Sequence, residues 1–305
     1  MDLMQKAGKY PPPQGATDIL GPEAAGVVVS GSTFPYGTPV ACLLPGGGYA
    51  EYVAASPELC FPIPSNLTVE EAACIPENWI TAYQLLQEVG GLTDFPANGG
   101  KPSGVKSILV YAAASGVGVA LLQIIRAFLP GAKVLAVAGT PEKLQCAENL
   151  GAAVSLNYKL LGDTLGDEAL KRTDGQGVDL VLDCVGASLW EQTVKALRVD
   201  GTWILYGSLG GHRLSFSLAS LLQKRLRLLS TTLRSRSESY QKELVANFKQ
   251  DILPKLADGT LKVVVDRTFG AEEAEEAHQR LQESANIGKV VIILDRAIAS
   301  LHGTP

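Results

Sequence analysis

Four small residues, Ala113, Ser115, Gly116 and Gly118, lie between an apolar run, Ile108-Leu109-Val110, and a stretch where Val119, Leu122, Ile125 and Arg126 recur at helical spacing. A turn almost free of side chains that feeds straight into a helix presents unpaired N–H groups and the positive end of the helix dipole together. That arrangement suits an anion such as a pyrophosphate. The glycine fingerprint for the task reads G-x-G-x-x-G; here Ala113 and Ser115 take the first two places and Gly118 the third. Two other readings of the stretch stay open. One is a Gly/Ala-rich turn with no ligand. The other is a membrane span, because no charge interrupts Ser107 to Ile125; the Ala, Ser and Gly in its middle speak against it.

The elements needed to position such a turn follow it. Strands are expected at Ser107 to Tyr111, Lys133 to Ala138, Ala153 to Leu156, Leu180 to Asp183, Thr202 to Tyr206 and Leu226 to Thr231. Most carry Val, Ile or Leu on both faces, the pattern of parallel strands covered on both sides by helices. Thr140-Pro141 reads as an N-cap followed by proline at the first helical position, and Gly151 closes that helix. The expected fold class is therefore α/β, with a Rossmann doubly wound parallel sheet. Upstream, residues 10 to 66 are rich in Pro and Gly, and the short runs Gly26 to Ser30, Pro39 to Leu43 and Tyr49 to Ala54 suggest a small antiparallel β domain. Downstream, a long helix is expected over Ser237 to Ala257, a strand over Leu261 to Phe269, a helix over Ala271 to Gln282 and a strand over Lys289 to Leu294. The β domain is thus built from both chain ends, 1–77 and 233–305, around a nucleotide-binding insertion, 78–232. Gly90 to Lys106 reads as a long loop, either a lid or a floppy insertion.

Composition narrows the function class. The 305 residues carry a net charge of −5, which argues against a nucleic-acid surface. Cys42, Cys60, Cys74, Cys146 and Cys184 are odd in number and unpaired in spacing, so neither a disulfide framework nor a zinc knuckle is indicated. With no signal peptide or lipid motif, the chain reads as cytoplasmic, with no membrane partner.

The domain order and several runs resemble the medium-chain dehydrogenase/reductase superfamily, in its zinc-free quinone oxidoreductase branch. The runs are Asp2-Leu3-Met4-Gln5, Gly21-Pro22-Glu23-Ala24-Ala25-Gly26, Leu44-Pro45-Gly46-Gly47-Gly48, Ala73-Cys74-Ile75-Pro76-Glu77-Asn78-Trp79, Ala114-Ser115-Gly116-Val117-Gly118, Leu182-Asp183-Cys184-Val185-Gly186, Leu233-Arg234-Ser235-Arg236 and Asn286-Ile287-Gly288-Lys289-Val290-Val291. The resemblance implies that the β domain is GroES-like and that Ser115, Gly116, Val117 and Gly118 form the cofactor turn. It matches Tyr158 to an adenosine-phosphate contact, and Asn286 and Lys289 to a closing motif whose asparagine reaches the nicotinamide side. It also matches Tyr10 to a cleft tyrosine that could hydrogen-bond the acceptor oxygen; a packing tyrosine is the equal alternative. Such relatives begin upstream of the Asp2-Leu3-Met4-Gln5 run, so a shortened β domain with unpaired edges and doubtful activity is expected.

The chemistry follows from these positions. The resemblance implies that zinc-dependent members of the superfamily carry a Gly-His-Glu run and clustered cysteines, since a tetrahedral metal takes its ligands from Cys, His and carboxylate. The corresponding run is Gly21-Pro22-Glu23, and His212, His278 and His302 stand far from it in sequence, so no metal is expected. Hydride transfer to an electron-poor acceptor, a quinone or enone, is left. An NAD-binding chain would place Asp or Glu about 20 residues after the turn. This one has Ala138-Gly139-Thr140: Gly139 leaves room, Thr140 can donate and Lys143 can neutralise a 2′-phosphate, which favours NADPH. Strand carboxyl ends add Cys184, Val185 and Gly186, and Gly207, Ser208 and Leu209. The expected activity is an NADPH-dependent quinone reductase, homodimeric through Leu226 to Thr232. The alternatives are an enoyl or alkenal reductase and a cofactor-binding protein without turnover.

Overall fold

The computed structural model describes residues 1–101 and 103–295. The chain divides into two compact units, one of Met1–Thr81 with the chain from Leu233 onward, the other of Ala82–Thr232. In the first, β1 (Glu23–Val27), β2 (Pro39–Leu43) and β3 (Cys60–Pro62) form an antiparallel sheet in that order. In the second, β4 (Ser107–Val110), β5 (Lys133–Ala138), β6 (Val154–Asn157), β7 (Val178–Asp183), β8 (Leu197–Leu205) and β9 (Arg227–Ser230) form one parallel sheet, ordered β6-β5-β4-β7-β8-β9. Back in the first unit, β10 (Val265–Gly270) pairs with β11 (Lys289–Ile293).

The six-stranded sheet winds outward in both directions from β4, which makes the boundary between β4 and β7 the topological switch point. β4 is buried along its whole length, as strands covered on two faces must be. On one face Leu109, Tyr111, Leu135, Val137, Leu156, Val181 and Trp203 form a continuous core; each such side chain contributes about 1.5–3 kcal/mol on burial. The helix Gly116–Phe128 buries Val119, Leu121, Leu122, Ile124 and Ile125 while Arg126 stays exposed. Ser107 to Ile125 is thus strand, turn and helix, and no helix among the described residues is long and apolar enough to cross a membrane. The Tyr111 hydroxyl lies 2.9 Å from the Thr193 hydroxyl and ties the helix Trp190–Ala196 to the sheet.

Several expectations need correction. Residues 49–54 form no strand: Tyr52 and Val53 are both exposed, so their alternation has no face to bury, and Cys60–Pro62 takes the third place in the sheet. The helix after Ser237 stops at Asp251 and a second turn runs over Leu253–Ala257. Pro254 causes the break, because its ring displaces the carbonyl four residues back and it offers no N–H. β10 and β11 form a parallel pair of their own, separate from the antiparallel β1-β2-β3 sheet. The segment after Gly90 is anchored by local packing in its described part. Phe95 is fully buried, edge-on to Tyr83 at 5.2 Å and against Phe128 at 4.7 Å, and Asp94 accepts the Ser103 N–H at 3.1 Å.

Candidate active site

In the second unit, parallel strands bring the ends of β4, β5, β7 and β8 to one edge of the sheet. After β4 the chain turns through Ala112, at φ 48°, and Ser115 caps the helix by accepting the Gly118 N–H at 3.1 Å. Gly116 and Val117, at the first two helical positions, have no acceptor four residues back, and both are partly exposed. A Cβ on Gly118 would sit 2.5 Å from the Ala112 carbonyl oxygen and 2.6 Å from the Ala113 carbonyl carbon, so only glycine lets the helix start this close to the turn.

The turns after β7 and β8 are stitched together. Leu209 N–H bonds the Cys184 carbonyl at 2.9 Å, and Gly210 N–H bonds that of Val185 at 2.7 Å. Gly186 adopts φ 79°, and a Cβ on Gly207 would meet the Cys184 carbonyl oxygen at 3.0 Å. Beneath them is a residue that sequence reasoning did not single out. Asp183, fully buried, accepts from Val185 N–H at 2.6 Å, from Gly186 N–H at 3.2 Å and from Trp203 Nε1–H at 3.0 Å. Burial pushes its carboxyl upward, against these three donors. Burial likewise pushes the Cys184 thiol up to about 12, which marks it as an inert packing thiol.

At the end of β5, Thr140 caps the helix Pro141–Asn149 by accepting the Lys143 N–H at 3.4 Å, and its hydroxyl bonds Glu142. The space beside Gly139 is filled rather than open: a Cβ there would lie 2.7 Å from the Tyr158 ring and 3.0 Å from the Lys159 stem. The structure therefore gathers Ser115, Gly116, Val117, Gly118, Gly139, Thr140, Lys143, Tyr158, Cys184, Val185, Gly186, Gly207, Ser208 and Leu209 along the carboxyl ends of one sheet.

Tyr10, Asn286 and Lys289 belong to the first unit. The Lys289 ammonium pairs with Glu23 at 2.5 Å, and the other Glu23 oxygen accepts the Glu77 N–H at 2.9 Å, fixing β11 and the start of the helix Pro76–Gln84 to β1. The Glu77 Oε2 is shielded and has no hydrogen-bond partner. Burial first, then repulsion from Glu23, raises the Glu77 carboxyl to about 8, against the pull of Lys289. Arg234 holds the Pro45 carbonyl at 2.7 Å and Gln5 Oε1 at 2.6 Å, with its guanidinium 5.9 Å from the Tyr10 ring centre. Burial and Glu77 push the Tyr10 phenol up and Arg234 opposes them. Asn286 donates to the Gly288 carbonyl at 2.8 Å, which shapes the turn before β11. The Tyr49 hydroxyl lies 3.1 Å from His278 Nε2.

Residues 116–250 match the zinc-binding dehydrogenase family. A probable quinone oxidoreductase of Schizosaccharomyces pombe is 27% identical over 304 residues, covering 98% of this chain and 86% of its own length. Among solved structures, Escherichia coli quinone oxidoreductase complexed with NADPH is 26% identical with a TM-score of 0.81, over 96% of this chain and 87% of that one. An NAD-dependent alcohol dehydrogenase is 31% identical with a TM-score of 0.76, over 91% of this chain and 83% of the other. Zinc, which the family description implies, does not fit the residues present. Pro22 and Glu23 occupy the corresponding run, Glu23 is committed to Lys289 and Glu77, and among the described residues no group of three or more His, Cys, Asp or Glu converges on a point. A nicotinamide dinucleotide does fit, at the two free amides of Gly116 and Val117 beside the close-packed Gly118. The chain belongs to the medium-chain dehydrogenase/reductase family and carries its Rossmann and GroES-like folds.

Proposed function

We propose that the protein is an NADPH-dependent reductase of quinones or similarly electron-poor acceptors. The observation that carries the cofactor choice is the end of β5, where Ala138-Gly139-Thr140 supplies no carboxylate for a ribose 2′-hydroxyl and Lys143 follows one turn into the helix. The likeness to an NADPH-bound quinone oxidoreductase supports the same choice. Gly116 and Val117 would hold the pyrophosphate through their N–H groups, and Lys143 would neutralise the 2′-phosphate. NADPH, when bound, supplies a hydride.

Among the described residues no metal-ligand cluster stands ready to polarise a carbonyl, which favours an acceptor that is already electron-poor, and a quinone delocalises the arriving charge over its ring. Tyr10, whose phenol burial keeps protonated, would donate a hydrogen bond to the acceptor oxygen. Water completes the protonation, so the chain contributes mainly by positioning. The balance is one quinone, one NADPH and one proton to one hydroquinone and one NADP⁺.

The test mixes purified chain with NADPH and an ortho-quinone and follows the nicotinamide absorbance, with an enone and NADH in parallel. Oxidation of NADPH by the quinone, faster than of NADH, is expected. A folded sample that NADPH stabilises against melting but that reduces no acceptor overturns the reading in favour of a binding protein. Reduction of the enone alone overturns it in favour of an enoyl or alkenal reductase.

A further inference from the structure

We propose that Cys42 and Cys60 are a redox-active pair that closes a reversible disulfide across β2 and β3. The two residues are direct cross-strand partners in an antiparallel ladder. The Ile63 N–H bonds the Pro39 carbonyl at 3.1 Å, so hydrogen-bonded and open pairs alternate from there: 39 with 63 bonded, 40 with 62 open, 41 with 61 bonded, 42 with 60 open. Open pairs bring Cα atoms to about 4.5 Å and their side chains closer together than bonded pairs do. That spacing falls in the range a disulfide spans without moving the backbone, about 4.4–6.8 Å.

The two thiols are not equivalent. The Cys42 thiol donates to the Ala24 carbonyl at 3.6 Å and the Cys60 thiol to the Ser56 carbonyl at 3.3 Å; the contact between the two sulfurs lowers the Cys60 thiol, with Lys249 adding to the effect, and the same contact and burial push Cys42 up. Within the pair that the ladder sets side by side, Cys60, which also feels the Lys249 charge, is taken as the attacking thiol and Cys42 as the resolving one. Both line a cavity of about 680 Å³ on this unit, through which a small oxidant can reach them although their own exposure is slight. None of the other cysteines has a cysteine as its cross-strand partner. Cys74 and Cys184 are buried with thiols pushed up to about 12, and Cys146 stands on a helix with its thiol raised by burial.

The oxidant is a hydroperoxide. The Cys60 thiolate attacks its terminal oxygen, the O–O bond breaks and, for hydrogen peroxide, hydroxide leaves, giving a sulfenic acid. The Cys42 sulfur then attacks the Cys60 sulfur, the S–S bond forms, the S–O bond breaks and water departs with the Cys42 proton. Two thiols lose two electrons, and one peroxide becomes two waters. The bridge would tether the segment from Leu43 to Leu59, which carries Gly46, Gly47, Gly48 and Tyr49.

The experiment treats the full chain with hydrogen peroxide, alkylates the remaining thiols and maps the peptides by mass spectrometry. Two of the five thiols are expected to escape alkylation, in a Cys42–Cys60 linked peptide two hydrogens lighter that dithiothreitol restores. Five alkylatable thiols after oxidation, or a link between any other pair, overturns the proposal. In Cys42→Ser, dimedone is expected to trap a sulfenic acid on Cys60. In Cys60→Ser, Cys42 is expected to stay unlabelled, and labelling there overturns the assignment of Cys60 as the attacking thiol. The wild-type map decides the pairing even if a variant folds poorly.

Discussion

Glu77 carries the clearest pH signature in the chain. Its ordinary value is 4.5 and the folded environment raises it to about 8, with Glu23, Asp2 and Lys289 as its charged neighbours. Between those values the folded state binds a proton that the unfolded chain has released, so stability falls as pH rises from about 4.5 to about 8. The melting temperature of the wild type should therefore decline through that window, and Glu77→Gln should flatten the decline. Equal slopes in the two proteins would place the retained proton on another group. At the cofactor turn, Gly118 has backbone, not flexible side chain, within 2.6 Å of its missing Cβ. Gly118→Ala should cost about 1–3 kcal/mol in a urea melt and abolish the heat of NADPH binding in titration calorimetry. Unchanged binding would move the pyrophosphate away from this turn.

The strands of the parallel sheet were legible as short apolar runs, three of them with a stop signal at the end: Gly139-Thr140-Pro141 after β5, Asp183 in β7 and Gly207 after β8. β5 begins and ends where its pattern predicts, at Lys133 and Ala138. β8 departs most from its expected bounds. It starts at Leu197 rather than Thr202, because Arg198, Val199 and Asp200 are exposed and carry no burial pattern. The helix after β5 was readable from Thr140-Pro141, and the cap predicts its own loss: Thr140→Ala should lower stability by about 1 kcal/mol, measured as a shift in the urea midpoint at constant slope. A shift below a few tenths would mean that Pro141 and packing alone hold the helix start. What the sequence hid are partnerships made only on folding. Glu23 and Lys289 are 266 positions apart, and nothing local marks either as half of an ion pair. Asp183 reads as the last residue of an apolar strand, yet it ties the turn after β7 to Trp203. Tyr49 to Ala54 misled for the opposite reason, since alternation signals a strand only where one face is buried.

The parallel sheet ends on an open edge. β9 pairs with β8 alone, and all four of its residues are exposed. Leu228 and Leu229 are 46% and 36% exposed; as neighbours on a strand they point to opposite faces, so neither face of the edge is covered. An uncovered apolar edge with unpaired N–H and C=O groups is a template for another strand. We propose that a second copy would satisfy it by two-fold symmetry, β9 against β9 antiparallel, so that one sheet would run through both copies. Sedimentation equilibrium should then give twice the chain mass of 32.1 kDa. Leu228→Lys combined with Leu229→Lys should give a single chain, because like charges would face each other across the paired edge, while circular dichroism stays unchanged. A wild-type chain that sediments as a monomer at tens of micromolar would leave β9 as a bare edge, and a double variant that still dimerises would place the contact on another surface.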